Sequence, residues 1–265
     1  MVAGLLKFKE YFKDYADSYV LIGGAACDIL FTENEADFRA TRDLDMVLIV
    51  EALTPEFAGI FWDFIKDGDY RHISGSTGKP QFYRFDKPQV EGFPKMIELF
   101  SRTDFELKSH IGITPLYVSD DISSLSAILL DDDYYQVLLN GRVIENGFSV
   151  LRPEYLILFK AKAYLDLSSR KAQGEKVDSA DIKKHKKDVL RLAVEMVLNP
   201  VSDLQESVME DIHHFINNLR EDEYDQNSLK TYRVTNDQVV SRLVSVFEAR
   251  YTGRNYSRRG TDVGT

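Results

Sequence analysis

The chain has 265 residues, 44% hydrophobic and 29% charged, an ordinary globular composition with enough length for a sizeable core in one large or two modest domains. Its net charge of −10 argues against unselective binding along nucleic acid through bulk charge, although a local basic groove remains compatible with it. The single cysteine excludes an internal disulfide, and neither a secretory signal nor an apolar run of membrane-spanning length is evident, so we expect a cytoplasmic protein without membrane contact.

The first predicted elements are a helix over residues 4–16 and a short apolar strand from Tyr19 to Ile22. The strand runs into the pair Gly23-Gly24, which opens a second helix. A strand, a glycine turn and a helix start leave free backbone N–H groups, and glycine lets a ligand approach the backbone closely. This segment therefore predicts a phosphate-binding site.

A second strand is predicted to begin at Asp43, where Asp43 and Asp45 alternate with Leu44 and Met46. Side chains on a strand repeat with a period of two, so both carboxylates project from the same face. Two carboxylates at this spacing can share divalent metal ions.

The two segments together form a motif. An apolar run and Gly-Gly are followed by Arg39-x-Thr41-x-Asp43-Leu44-Asp45. This order resembles the nucleotidyltransferase fold of the DNA polymerase β type, and most closely its AbiEii-like abortive-infection toxin branch.

The resemblance implies a mechanism and a set of ligands. Asp43, Asp45 and a third carboxylate would hold two Mg²⁺ ions, which orient a nucleoside triphosphate (NTP) and activate an acceptor hydroxyl for in-line attack at the α-phosphorus. Nucleotide-binding roles fall on Gly23, Gly24, Arg39 and Thr41.

Further along, Thr54 and Pro55 predict a helix start, and strands are predicted over 81–85 and 93–101. Glu98 stands among apolar residues of the last of these strands, where a carboxylate is costly to bury unless a cation or hydrogen bonds satisfy it. The polymerase β-like pattern places its third metal ligand here. Asp86 and Glu106 are the alternatives, and Glu98 could instead face solvent on an edge strand.

Residues 103–150 are predicted to contain a solvated acidic turn at 131–133 and a β-hairpin whose two-residue turn is Asn140-Gly141. Compared with a minimal toxin-type nucleotidyltransferase, this region is elaborated. Substrate preference could therefore reside in it.

From Pro153 the pattern becomes helical. The toxin branch follows its sheet with a helix that carries a lysine and then a second helix with a Lys and Asp signature. Lys160, Lys184 and Asp188 match that pattern, which implies nucleotide-binding roles for them. Residues 170–191 also hold eight Lys or Arg against four acids, so they could contact phosphates or an RNA backbone; alternatively, they form a solvated face.

We therefore expect an α+β fold: a nucleotidyltransferase-type mixed sheet with flanking helices over 1–150, a helical domain over 151–250, and a disordered tail over 251–265. The expected reaction moves a nucleoside monophosphate from NTP to a hydroxyl and releases pyrophosphate, with Asp43, Asp45 and Glu98 as catalytic residues. The resemblance suggests tRNA or a protein as acceptor and a cognate antitoxin as possible partner. The alternatives are a non-catalytic nucleotide-binding or complex-forming module and a small-molecule, antibiotic-type adenylyltransferase.

Overall fold

The computed structural model of the chain describes residues 3–33, 43–75, 81–101 and 131–247. The chain divides into two compact units, Met1–Leu156 and Ile157–Thr265. The first unit contains a mixed sheet with flanking helices, and the second is helical in its described part. The predicted α+β class is therefore confirmed.

The first unit holds all the strands among the described residues. Its elements in chain order are α1 (Leu5–Phe12), β1 (Tyr19–Ile22), α2 (Gly23–Glu33), β2 (Asp43–Leu48), α3 (Pro55–Asp67), β3 (Tyr70–Gly75), β4 (Gln81–Pro88), β5 (Met96–Ser101), α4 (Asp132–Gly141), β6 (Arg142–Glu145) and β7 (Phe148–Leu151). The predicted limits of β1 and the predicted starts of β2 and α3 agree with these. At α3, the Thr54 side chain accepts a hydrogen bond from the Phe57 N–H and caps the helix.

The described strands form one seven-stranded sheet in the order β3-β4-β5-β2-β1-β7-β6. β1 pairs antiparallel with β2, while β2 pairs parallel with β5, and β5 pairs antiparallel with β4. One edge of the sheet, formed by strand ends, consequently carries the end of β1, the starts of β2 and β5, and the end of β4. The glycine pair and the acidic residues of β2 and β5 are thus brought to one edge from separate parts of the sequence.

One face of this sheet is covered by α1 and α3 through a cluster of aromatic rings. Phe8 of α1 makes an edge-on contact with Tyr19 of β1, at 5.3 Å between ring centroids, and Phe61 of α3 makes one with Phe85 of β4, at 5.5 Å. Both strand residues are buried. Because side chains alternate along strands, the residues that neighbour Tyr19 and Phe85 in sequence project from the opposite face.

The predicted hairpin around Asn140-Gly141 is wrong. Residues 132–141 form α4, and Asp131 caps it by accepting hydrogen bonds from the N–H groups of Asp133 and Tyr134. The acidic run is therefore a helix start rather than a solvated turn before a strand, because carboxylates favour the N-terminal turn of a helix. Gly141 ends the helix, where a Cβ would lie 2.3 Å from the Tyr155 ring.

The hairpin lies further along, between β6 and β7. Its turn is Asn146-Gly147, with φ of 49° and 74°, the left-handed backbone that two-residue hairpin turns require. A second difference is β3, which the sequence did not predict; it pairs antiparallel with β4.

The second unit is built from helices. Its helices are α5 (Pro153–Ala172), α6 (Ser179–Glu195), α7 (Glu206–Glu221), α8 (Gln226–Tyr232) and α9 (Asn236–Phe247). The first four residues of α5 belong to the first unit. Buried apolar residues of these helices form its core, among them Val189, Ile212, Phe215 and Leu243. The tail over 251–265 lies outside the described residues. Across the described part of the chain, none of the helices has the length and apolar character needed to cross a membrane.

Candidate active site at the edge of the sheet

The junction of β1 and α2 is in direct contact with the start of β2. Ile22, the last residue of β1, pairs with Asp45, and Gly23 follows it with φ of +63°. A Cβ at position 23 would lie 1.9 Å from Oδ2 of Asp45. Glycine is therefore required here for two reasons: the backbone is left-handed, and the Asp45 carboxylate packs against the Cα.

Asp43 and Asp45 project from the same face of β2. Both are half-buried, whereas Leu44 and Met46 between and beyond them are fully buried on the other face. This is the alternation expected for a strand whose polar face is partly open to solvent. The structure therefore brings Asp43, Asp45 and Gly23 together at one edge, and Gly24 is the next residue of α2.

Glu98 joins this group through strand pairing. It lies on β5 directly opposite Asp45, and Met96 lies opposite Asp43. Paired residues of neighbouring strands project from the same face, with strands about 4.8 Å apart. Glu98 therefore shares a face with both aspartates, on an interior strand of the sheet rather than on an edge strand.

The sequence analysis missed the residue that satisfies Glu98. Arg84 of β4 lies opposite Glu98 and donates hydrogen bonds from Nε, at 3.0 Å, and from Nη2, at 2.5 Å, to the Oε1 atom of that carboxylate. The Glu98 side chain is only 12% exposed, against 35% for Arg84. The cation expected beside a buried carboxylate is therefore present as a side chain of the neighbouring strand. In the sequence, the only signal for Arg84 was its polar side chain in the alternation of the predicted 81–85 strand.

Asp86, an alternative to Glu98, lies two residues after Arg84 and opposite Met96, so it is on the same face and half-buried. The other alternative, Glu106, lies outside the described residues. So do Arg39 and Thr41 of the motif.

The donor chemistry of this face fits Mg²⁺, which prefers carboxylate oxygens. The side-chain arrangement fits less well: in the described part of the chain, no three His, Cys, Asp or Glu side chains stand together as a site for a metal ion. Two of the carboxylates on this face make other contacts. The Asp45 carboxylate packs against Gly23, and the Glu98 carboxylate is turned toward Arg84. Both Arg84 hydrogen bonds go to Oε1 of Glu98, so a cation shared with the aspartates would compete with Arg84 for this carboxylate.

The three remaining predicted residues lie in the second unit. Nζ of Lys160 on α5 is 3.0 Å from Oδ2 of Asp188 on α6, and the two side chains are 7% and 2% exposed. Lys184, one turn before Asp188, is exposed. The structure therefore brings Lys160 and Asp188 together as a buried ion pair, and Lys184 lies on the surface.

Much of the basic cluster over 170–191 is engaged within the chain. Four of its eight basic residues form ion pairs with acids of the same unit: Arg170 with Glu175, Lys186 with Asp222, Lys187 with Asp225, and Arg191 with Glu195. Lys171 donates a hydrogen bond to Ser179. The cluster therefore offers less free positive charge than its composition suggests.

Comparison with known proteins gives weak structural likenesses. No protein-family model matches the sequence, and no curated protein is significantly similar to it. An antigenic nucleotidyltransferase-like protein from Paracoccidioides brasiliensis is 14% identical, with a TM-score of 0.40 over 87% of this chain and 93% of that one. The Megavirus polyadenylate synthase is 10% identical, with a TM-score of 0.38 over 80% of this chain and 35% of that one. JHP933 from Helicobacter pylori is 14% identical, with a TM-score of 0.38 over 95% of each chain. Similarity at this level carries no argument about the activity of this chain.

Proposed function

We propose that this protein is a divalent-metal-dependent nucleotidyltransferase that moves a nucleoside monophosphate from NTP to a hydroxyl. The observation that carries the proposal is the contact between Gly23 and Asp45. It joins a glycine turn at a helix start, which can bind phosphate, to a strand whose Asp43 and Asp45 carboxylates can bind a cation. Phosphate and cation sites in contact are what a metal-bound triphosphate requires.

In this proposal the backbone N–H groups at the start of α2, beside Gly23 and Gly24, bind the triphosphate. Asp43 and Asp45 would hold Mg²⁺, which supplies charge neutralisation of the phosphates and polarisation of the acceptor oxygen when bound. The acceptor oxygen forms a bond to the α-phosphorus as the bond from that phosphorus to the bridging oxygen breaks. Pyrophosphate leaves, and the proton of the hydroxyl passes to solvent water.

The acceptor is the next part of the proposal. A tRNA or a protein, with an antitoxin as partner, follows from the toxin-like motif. The basic cluster over 170–191 adds little to this because half of its basic residues are already ion-paired. Lys176, Lys183 and Lys184 are exposed and are the better candidates for contact with an RNA backbone. A small-molecule acceptor therefore stays in the test.

A second candidate function is a non-catalytic nucleotide-binding module. Two observations favour it: Glu98 is held by Arg84, and no three ligating side chains of the described residues are gathered. If Glu98 never leaves Arg84, the site binds nucleotide without turnover.

The test is transfer of a radioactive label from each of four NTPs labelled at the α-phosphate, with Mg²⁺ and total RNA, total protein or a panel of small hydroxyl compounds as acceptors. Asp43→Asn and Asp45→Asn should each abolish transfer, since each removes a cation ligand. Asp63→Asn makes the same chemical change at an exposed position of α3, on the opposite face of the sheet, and should leave transfer unchanged. Mg²⁺-dependent NTP binding without transfer to any acceptor would favour the non-catalytic module.

A further inference from the structure

The ion pair between Arg84 and Glu98 has a geometry that bears on cation binding. Two nitrogens of the guanidinium, Nε and Nη2, donate to the same oxygen, Oε1. The pair is an in-register contact between β4 and β5, and β2 with Asp45 is the next strand on the other side of β5. Glu98 therefore lies between the guanidinium of Arg84 on one side and the carboxylate-bearing strand β2, a candidate cation site, on the other.

The two partners differ in exposure. Glu98 is 12% exposed and Arg84 is 35% exposed. A carboxylate with so little exposure requires a counter-charge in every state of the protein, because an unpaired charge at that depth is costly. The guanidinium of Arg84 is already partly solvated, so the loss of this carboxylate costs it less. Replacement of the Arg84 guanidinium by a divalent cation beside Glu98 therefore has a low cost, because it leaves no buried charge unpaired.

We propose, building on the function above, that Arg84 is a positioning residue that competes with the divalent cation for the Glu98 carboxylate. Without the cation, Arg84 holds Glu98 away from Asp43 and Asp45. When the cation binds, Glu98 turns to join the aspartates and its hydrogen bonds from Arg84 break. Arg84 thereby sets how tightly the site binds its cation.

The first measurement is the affinity of the full-length protein for Mn²⁺, followed by electron paramagnetic resonance of the free ion. Arg84→Gln should lower the Mn²⁺ dissociation constant about tenfold, the factor expected when the cation no longer has to displace a charge-assisted interaction worth about 1.4 kcal/mol from Glu98. Lys95→Gln is the matched control: it removes the same charge from an exposed residue directly before β5 and should change affinity much less.

The competition also predicts coupling between the two residues. In a Glu98→Gln background, Arg84→Gln should produce no tightening beyond that of Lys95→Gln, because the carboxylate for which the guanidinium competes is gone. Unchanged or weaker Mn²⁺ binding by Arg84→Gln, or equal tightening by Lys95→Gln, would overturn the inference. If Asp45→Asn binds Mn²⁺ as the unaltered protein does, the proposed site itself fails, and that result is separate from the behaviour of Arg84.

A second readout is made on the unaltered protein. In the unaltered protein the Nε–Hε resonance of Arg84, assigned by its loss in Arg84→Gln or by through-bond transfer from the backbone, reports its hydrogen bond to Glu98. Addition of diamagnetic Mg²⁺ should shift this resonance toward that of a solvent-exposed arginine, and Asp45→Asn should suppress the shift. A resonance that stays fixed while Mg²⁺ binds would show that Arg84 keeps its carboxylate, and the inference would be wrong.

Discussion

Replacement of Gly23 by alanine tests the contact that carries the proposed function. Two penalties apply to the added methyl group. A non-glycine residue in the left-handed region, here at φ of +63°, costs about 1–2 kcal/mol. The methyl would also lie 1.9 Å from Oδ2 of Asp45, and overpacking of this kind costs about 1–3 kcal/mol. Gly23→Ala should therefore lower the free energy of unfolding by about 2–5 kcal/mol.

The second penalty has an alternative outcome with the same functional result. Asp45 can relieve the clash by rotating its carboxylate away from position 23, which recovers stability but displaces a cation ligand. Gly23→Ala should thus lose Mg²⁺-dependent NTP binding whether or not the full loss of stability appears.

The assay is urea unfolding of four proteins: the unaltered chain, Gly23→Ala, Asp45→Ala and the double variant. Without the Asp45 carboxylate, Gly23→Ala should cost only the backbone penalty of about 1–2 kcal/mol. Gly59→Ala is the matched control, because its Cβ would meet nothing within 4 Å in the helix α3, where alanine is favoured by about 1 kcal/mol. The same substitution should therefore have opposite signs at the two glycines. Equal stability of Gly23→Ala and the unaltered protein, with NTP binding intact, would refute the reasoning.

Three further predictions concern stability. Lys160→Met or Asp188→Asn, each of which leaves one buried charge without its partner 3.0 Å away, should cost about 3–5 kcal/mol in urea unfolding, while Lys160→Met with Asp188→Leu should recover most of it. Thr54→Ala removes the cap of α3 and should cost about 1 kcal/mol by the same assay. Burial raises the pKa of Tyr19 from 10.0 to about 12, and burial also raises the pKa of Tyr70. The folded state then holds these protons more tightly than the unfolded state, so the stability that the two buried phenols contribute is complete below pH 10, and the contribution of Tyr19 is lost as pH rises through about 12. Alkaline ultraviolet titration should show delayed ionisation of both tyrosines, whereas ionisation of both near pH 10 in the folded protein would contradict the burial argument.

The elements that the sequence predicted correctly are those with local signals. β1 is a short apolar run ended by glycine, β2 alternates from Asp43, and Thr54 with Pro55 marks the start of α3. Each signal lies within a few residues of the structure it specifies. The hairpin error arose from the same kind of signal, because Asn-Gly occurs twice. Only the second pair, at 146 and 147, adopts the left-handed turn, while Gly141 ends a helix and packs against Tyr155.

The residues of the candidate site also differ in whether a local pattern reveals them. Gly23 and Asp45 are each visible in a local pattern, and Glu98 was selected by the cost of burying a carboxylate. Arg84 could not be found in this way, because its pairing with Glu98 depends on the register between β4 and β5, which tertiary packing sets. Strand β3 was missed for a related reason, since it owes its place to pairing with β4.

A sequence motif can specify only the local part of this site. The sequence pattern indicates where phosphate and cation would bind, because glycine conformation and carboxylate alternation are local properties of the chain. How strongly the cation binds depends on the charge that faces Glu98 from the next strand, and that charge is fixed only once the sheet has formed. Two proteins with the same glycine pair and the same aspartates can therefore differ in cation affinity through one cross-strand residue. In this chain Arg84 is the residue for which we propose this role, through its competition for Glu98.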